Sequence, residues 1–181
     1  MITYNLCLIK QKESILLLNR ERAAWMGFWN GIGGKLEAGE TPRESMLREI
    51  EEETLLDEYE LSYKGLISWN VDGNRFGGMY LYLAIVSESL VYHTPRKMDE
   101  GILDWKEIRW ILDPENQGVA ANITRFLTAV LEEGSCRHYH CEYRDGEVAE
   151  QWMRPLNRAT ENEGAMNDYI QAYLGEGAQM A

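Results

Sequence analysis

The strongest constraint on this chain is a glycine-rich segment that leads into an acidic helix. Five glycines fall between Gly27 and Gly39, too many for a regular element but suited to a loop whose backbone approaches a ligand. The next residues, Thr41-Pro42-Arg43-Glu44, are typical of a helix start, with a threonine cap, a proline in the first turn and a glutamate three residues after the cap. The sequence therefore predicts a loop followed by a helix that runs to about Leu55.

The predicted helix carries several carboxylates on one face. Glu49, Glu52 and Glu53 are three and four positions apart, so their side chains project together. Between residues 37 and 60, ten acidic residues accompany two basic ones, and this crowding costs free energy unless cations bind. An all-oxygen ligand set suits Mg²⁺, with Mn²⁺ as the alternative. Arg48, beside Glu49 in sequence, can hold a carboxylate through a charge-assisted hydrogen bond.

The same residues resemble the Nudix hydrolase signature, Gly-x5-Glu-x7-Arg-Glu-apolar-x-Glu-Glu-x-Gly-apolar, from Gly34 to Leu56. One position departs from it, because Leu55 stands where the family has a glycine that ends the helix. The resemblance implies an α/β (α+β) Nudix fold, with a mixed β-sheet sandwiched between helices. It also implies a magnesium-dependent enzyme in which water attacks a bridging phosphorus of a nucleoside diphosphate joined to another group.

The resemblance further implies roles for individual residues. The three helix glutamates bind the metal ions, and the carbonyl of Gly33 completes the coordination. Either Glu49 or Glu53 helps to deprotonate or position the water, with Arg48 beside them, and the family varies in which glutamate is the base. A further carboxylate usually comes from a loop after the central strands, and Glu100 is the candidate here. An ordinary exposed loop acid is the alternative interpretation of Glu100.

The glycine loop is also similar to a narrower group in the family, the MutT-like 8-oxo-dGTP diphosphatases, through Trp29-Asn30-Gly31-Ile32-Gly33-Gly34-Lys35. This similarity implies a (deoxy)nucleoside triphosphate substrate such as 8-oxo-dGTP, cleaved to the monophosphate and pyrophosphate in nucleotide-pool sanitation and DNA repair. The candidate substrate contacts are Asn30 for the purine edge, Trp69 and Met79 around the base, and Arg20 and Lys35 at the phosphates. A turn role for Asn30, core packing for the two apolar residues and surface charge for the two cations are the alternatives.

Apolar patterns predict the remaining elements. They are a hairpin at Tyr4–Ile9 and Ser14–Asn19, strands at Tyr63–Val71, Met79–Val86 and Leu103–Ile108, a helix at Val119–Glu133, and a second hairpin at His138–Tyr143 and Val148–Met153. The Nudix domain is thus placed at residues 1–134 and a hairpin extension packed on it at 135–156. An acidic, partly flexible tail follows at 157–181, with a short helix at Met166–Leu174.

Charge and hydropathy exclude several classes of protein. The formal net charge of −12 disfavours stable binding of duplex nucleic acid. No apolar run is long enough to span a membrane, and the first residues do not resemble a signal peptide, so we expect a cytoplasmic protein.

Cys136, His138 and His140 alternate along one predicted strand and are also candidate metal ligands, but a fourth ligand at zinc-like spacing is missing from the sequence.

Other functions remain open at this level. One is a Nudix hydrolase of capped RNA, a nucleotide sugar or a dinucleotide polyphosphate. Another is a non-catalytic Nudix module that senses a nucleotide, and a third is a structural interaction domain, which would leave the acidic cluster unexplained. The extension after Gly134 could cap the substrate pocket, form a homodimer or do neither.

Overall fold

The structure of the protein is a computed structural model that describes residues 1–23 and 25–178. The elements, in chain order, are β1 (Tyr4–Gln11), β2 (Ser14–Arg20), β3 (Trp29–Asn30), α1 (Pro42–Thr54), β4 (Glu60–Val71), β5 (Arg75–Ile85), β6 (Arg96–Met98), β7 (Gly101–Glu107), α2 (Ile108–Ile111), α3 (Ala121–Leu131), β8 (Arg137–Arg144), β9 (Glu147–Pro155) and α4 (Glu163–Ala178). A short 3₁₀ turn at Arg158–Glu161 precedes α4.

The strands form one sheet in the order β6-β7-β2-β1-β5-β4-β8-β9, with β3 beside β2. Strands β1 and β5 are parallel, as are β4 and β8, whereas the other pairs are antiparallel. The sheet is therefore mixed, as the sequence predicts. The hairpin of β8 and β9 continues the sheet at one edge, next to β4.

Helices cover both faces of the sheet, because successive strand residues point to opposite sides. On one face, Cys7 and Ile9 of β1 belong to the core that also contains residues of α1 and α4. On the other face, Leu6 and Leu8 belong to the core that contains α3. The predicted arrangement of a sheet between helices is confirmed. Within the described part of the chain, no helix is both long and apolar enough to cross a membrane.

Helix α1 begins and ends close to the predicted residues. The Thr41 hydroxyl accepts from the Glu44 N–H, and the Glu44 carboxylate accepts from the Thr41 N–H, which forms the capping box. At the other end, Leu55 has a φ of 60°, and its N–H donates to the Glu51 carbonyl at 2.8 Å. Leu55 thus adopts the left-handed conformation that suits the glycine it replaces, at a cost of about 1 kcal/mol.

The C-terminal residues differ from the loosely held tail that the sequence suggests. The helix predicted at Met166–Leu174 lies inside the longer helix α4, and its residues Met166 and Ile170 are buried in the core. These two residues are four positions apart, so they lie on the same face of the helix. Residues 179–181 of the predicted tail lie outside the described residues.

A buried chain of hydrogen bonds attaches α4 to the sheet. The Ser68 hydroxyl lies 2.6 Å from Nε2 of His138 and 2.6 Å from Nδ1 of His140. His138 Nδ1 lies 2.7 Å from the Tyr169 hydroxyl of α4, and His140 Nε2 lies 3.2 Å from the Glu142 carboxylate. The nitrogens needed for the predicted metal-ligand role of the two histidines are therefore engaged in hydrogen bonds within the protein.

Candidate active site

The glycine loop lies between β1 and α1, where Asn5 holds it. The Asn5 N–H donates to the Gly34 carbonyl, and the Asn5 side-chain oxygen accepts from the Gly34 N–H, both at 3.0 Å. The Asn5 amide nitrogen donates to the Ser45 hydroxyl of α1 at 3.0 Å. A Cβ at Gly34 would collide with the Glu49 carboxylate. Glycine is therefore required at this position if the loop is to lie against the acidic face of the helix.

The predicted metal ligands are brought to one cavity. Glu49, Glu52 and Glu53 of α1 line a cavity of about 420 Å³ together with Glu100, which lies in the turn between β6 and β7. The Glu53 carboxylate, on a residue only 7% exposed, accepts a hydrogen bond from the Gly33 N–H at 2.9 Å. The structure thus joins a loop residue to the helix carboxylates, as the spacing in the sequence suggests.

Burial dominates the electrostatics of Glu49 and Glu53. It raises the pKa of Glu53 to about 8, and the negative charges of Glu100 and Glu49 act in the same direction, whereas the Gly33 N–H opposes them. Burial also raises the pKa of Glu49, although the nearby Arg48 guanidinium opposes this shift. Several carboxylates therefore share a poorly solvated space in which a bound cation would relieve their repulsion.

Arg48 connects the glycine loop to the acidic helix face. Its Nε and Nη2 atoms contact the two carboxylate oxygens of Glu40 at 2.6 and 3.0 Å, in a bidentate pair. Its Nη1 atom lies 3.0 Å from both Glu49 and Glu52. The hydrogen bonds from Arg48 are the main reason that the pKa of Glu40 falls to about 2. Glu40 is a fixed position of the sequence signature, but the sequence alone assigned no contact to it.

The fourth carboxylate is paired with arginines. Glu100 contacts Arg20 at 3.0 Å and Arg22 at 3.9 Å. Across residues 1–23 and 25–178, no three acidic, histidine or cysteine side chains converge closely enough to hold one ion. The oxygen donors suit a hard divalent cation, but its binding would require these carboxylates to exchange protein donors for the metal.

A second cavity, of about 440 Å³, lies on the other side of the glycine loop. It is lined by four of the five predicted substrate contacts, Arg20, Asn30, Trp69 and Met79, and by Gly33. The fifth, Lys35, is exposed and lines neither this cavity nor the acidic one. Its backbone carbonyl instead accepts a hydrogen bond from Arg48 at 3.3 Å.

Further residues that the sequence did not indicate also line this second cavity, among them Trp25 and Asn122. Asn122 lies in the first turn of α3, and its side-chain oxygen accepts from the Ile123 N–H at 3.1 Å. The Asn30 side-chain oxygen accepts from the Gly31 N–H at 2.9 Å. In both side chains the amide NH₂ is thus the group that can donate to a ligand. Only the tertiary fold brings these two amides together, since 92 positions separate them in sequence.

Several known proteins are similar to this chain. The family model of the NUDIX domain matches residues 2–125. The chain is 29% identical over 103 residues to the Nudix hydrolase YvcI of Bacillus subtilis. The match covers 56% of this chain and 63% of that protein. It is 32% identical over 105 residues to the oxidized purine nucleoside triphosphate hydrolase of Mus musculus, covering 58% of this chain and 65% of that protein. The matches thus span less than two thirds of both relatives.

Among solved structures, the mutator MutT protein from Bacillus halodurans is similar with a TM-score of 0.66 and 25% sequence identity. The similarity covers 85% of this chain and 98% of that protein.

Proposed function

The chain belongs to the Nudix family, and from this premise we propose that it is a metal-dependent hydrolase of a (deoxy)nucleoside triphosphate. One observation carries the proposal: two contacts between wall residues link the acidic cavity to the second cavity. Arg20 lines the second cavity and contacts Glu100 of the acidic one. Gly33 lines the second cavity and donates to Glu53 of the acidic one. A nucleotide with its base in the second cavity would direct its phosphates to the carboxylates.

The acidic cavity would hold Mg²⁺, or Mn²⁺ in its place. Glu49, Glu52, Glu53 and Glu100 are the ligands we propose, with the Gly33 carbonyl as a further oxygen donor. When bound, the cation supplies neutralisation of the charge on the phosphate oxygens. The protein supplies the proton acceptor for the attacking water, which we assign to one of the two most buried glutamates, Glu49 or Glu53. Arg20, once released from Glu100, would contact a phosphate.

The second cavity favours an oxidized purine, with 8-oxo-dGTP as the substrate we propose. The amides of Asn30 and Asn122 can donate hydrogen bonds, and guanine presents the acceptor O6 on its edge. Oxidation at C8 adds the acceptor O8 and turns N7 into an N–H donor, so O6 and O8 are the two acceptors that these amides can bind. Trp69 offers an aromatic surface for stacking. The mouse relative is by name an oxidized purine nucleoside triphosphate hydrolase, which supports a role in nucleotide-pool sanitation for this chain as well.

A panel of substrates tests this function. The purified protein with Mg²⁺ is expected to convert 8-oxo-dGTP to 8-oxo-dGMP and pyrophosphate in preference to dGTP, ATP, ADP-ribose and capped RNA, as followed by chromatography of the products. Omission of Mg²⁺ is expected to abolish turnover, because the phosphate charge is then not neutralised. Preferential turnover of another panel member would contradict the proposed substrate but support the proposed type of reaction. Metal binding without any turnover would instead favour a nucleotide sensor.

Arg48→Lys is expected to lower kcat by about 10-fold to 100-fold, the range found when groups that orient metal ligands are changed. Lysine keeps the positive charge but cannot make the bidentate contact with Glu40 while also contacting Glu49 and Glu52. Steady-state rates over a range of Mg²⁺ concentrations provide the measurement. Arg43→Lys is the matched control, because Arg43 lies on the same helix but pairs with Glu161 outside both cavities. Equal rates for the two variants would contradict the orienting role of Arg48.

A further inference from the structure

The hairpin of β8 and β9 lies beyond the part of the chain that matches the NUDIX domain, residues 2–125, yet it lines a cavity that adjoins the second one. A third cavity, of about 310 Å³, shares Trp25, Trp69, Met79 and Asn122 with the second one. Its remaining walls are Val71 of β4, Tyr143 of β8 and Gly146 in the turn between β8 and β9. Because four wall residues are shared, the two cavities are adjoining parts of one elongated space.

The pairing of β4 with β8 explains why Tyr143 reaches this space. The parallel register places Trp69 beside Cys141 and Val71 beside Tyr143. Residues two apart on a strand point to the same face, so Tyr143 lies on the face that carries Trp69. Its side chain therefore continues the surface that Trp69 and Val71 begin.

Hydrogen bonds hold the tip of the hairpin against the rest of the domain. The Asp72 N–H donates to the Tyr143 carbonyl at 2.9 Å, and the Asp72 carboxylate accepts from the Asp145 N–H at 3.1 Å. Further along the hairpin, Arg125 of α3 donates to the Gln151 side chain of β9 at 2.8 Å. The wall formed by Tyr143 is thus in position before any ligand binds, which avoids an ordering cost on binding.

We propose that Tyr143 is a specificity-determining residue and that the extension completes the base pocket. The inference rests on the proposed function, in which a purine nucleotide occupies the second cavity. Asn30 lines the second cavity and Asn122 lines both cavities, whereas the apolar surfaces of Val71 and Tyr143 line the third cavity alone. A two-ring base with its polar edge at Asn30 extends further toward the Tyr143 ring than a one-ring pyrimidine does. Tyr143 therefore favours purines over pyrimidines.

Tyr143→Ala tests the proposal through the separate effects on KM and kcat. The KM for the purine triphosphate is expected to rise on the order of tenfold, the size of one lost base contact with an aromatic ring, with kcat within twofold of the wild type. The KM for dCTP is expected to change less than twofold. Tyr143→Phe should behave as the wild type, because it keeps the ring. Met153→Ala is the control on the same hairpin, since Met153 is 50% exposed and lines none of these cavities.

A second variant and a binding measurement keep the two proposals distinguishable. Tyr143→Leu retains apolar volume without the ring, and it carries the test if the alanine variant does not fold. Calorimetry of dGMP binding needs no turnover. If the wild type hydrolyses no triphosphate but binds dGMP, and the Tyr143 variants bind it about tenfold more weakly, the proposed function fails and this inference stands. Unchanged KM and dGMP affinity in the variants, or no dGMP binding by the wild type, overturns the inference.

Discussion

Glu53→Gln is expected to lower kcat by about three orders of magnitude while the protein stays folded. Glutamine has the shape of glutamate, so its side-chain oxygen can still accept the hydrogen bond from the Gly33 N–H. It has no negative charge for a divalent cation and cannot take a proton from water. Loss of a general base lowers the rate of a reaction by about 10²-fold to 10⁴-fold. Initial rates on the preferred triphosphate, with Mg²⁺ varied up to saturation, provide the measurement.

Two readouts separate lost chemistry from lost folding. Because burial raises the pKa of Glu53 to about 8, its ionised form destabilises the metal-free protein, and the glutamine variant should melt at the same or a higher temperature. Glu51→Gln is the matched control, since Glu51 lies on the same helix but is exposed and lines no cavity next to the glycine loop. A Glu53→Gln variant that keeps more than a tenth of the wild-type rate would show that Glu53 is neither an essential ligand nor the base.

The parts of the fold that depend on local sequence were predicted well. The N-terminal cap of α1 and the glycine loop are short patterns whose conformation is set by neighbouring residues. Boundaries were less accurate where elements meet: the strand expected at Leu103–Ile108 is β7 at Gly101–Glu107, because Ile108 already begins α2. Such shifts reflect hydrogen bonding to partner strands, which a single segment does not encode.

The parts of the site that depend on distant pairing were not predicted. Asn122 and Tyr143 reach the second and third cavities because α3 and β8 pack beside β4, and neither residue stands in a pattern that indicates this contact. The bidentate contact between Glu40 and Arg48 likewise joins a loop to a helix. Sequence spacing indicated the residue types for the proposed chemistry, whereas the walls of the cavities come from tertiary structure.

The buried histidines illustrate the same limit. Their alternation along β8 suggested metal ligands, but the structure joins them through Ser68 into a chain that continues to Tyr169. The single Ser68 proton can serve only one of its two neighbours, so the other histidine must donate to the hydroxyl oxygen. Both rings can be neutral in this arrangement. A second proton on His138, at Nδ1, would require the Tyr169 hydroxyl to change from donor to acceptor.

The free energy of unfolding is therefore expected to contain a histidine contribution that is lost in acid. Burial, with the charges of His140 and Arg154, lowers the pKa of His138 to about 3, and burial also lowers the pKa of His140, although Glu142 opposes that shift. An unfolded histidine titrates near pH 6.5. Between about pH 6.5 and 3 the unfolded chain thus binds a proton that folded His138 does not. The contribution of His138 to the free energy of unfolding is fully present above about pH 6.5. Below that pH it falls by up to about 1.4 kcal/mol per pH unit.

His138→Gln isolates this contribution from that of the acidic cavity. The raised pKa values of Glu53 and Glu49 act in the opposite direction, because those groups gain protons more readily when folded. Their effect is common to the parent and the variant, so the comparison cancels it. Urea unfolding at several pH values between 7 and 5 should give a flatter slope of stability against pH in His138→Gln, with a difference that approaches about 1.4 kcal/mol per unit near pH 5. His93→Gln, at an exposed residue, should keep the parent slope. Equal slopes for all three proteins would mean that His138 binds a proton as readily in the folded state as in the unfolded chain.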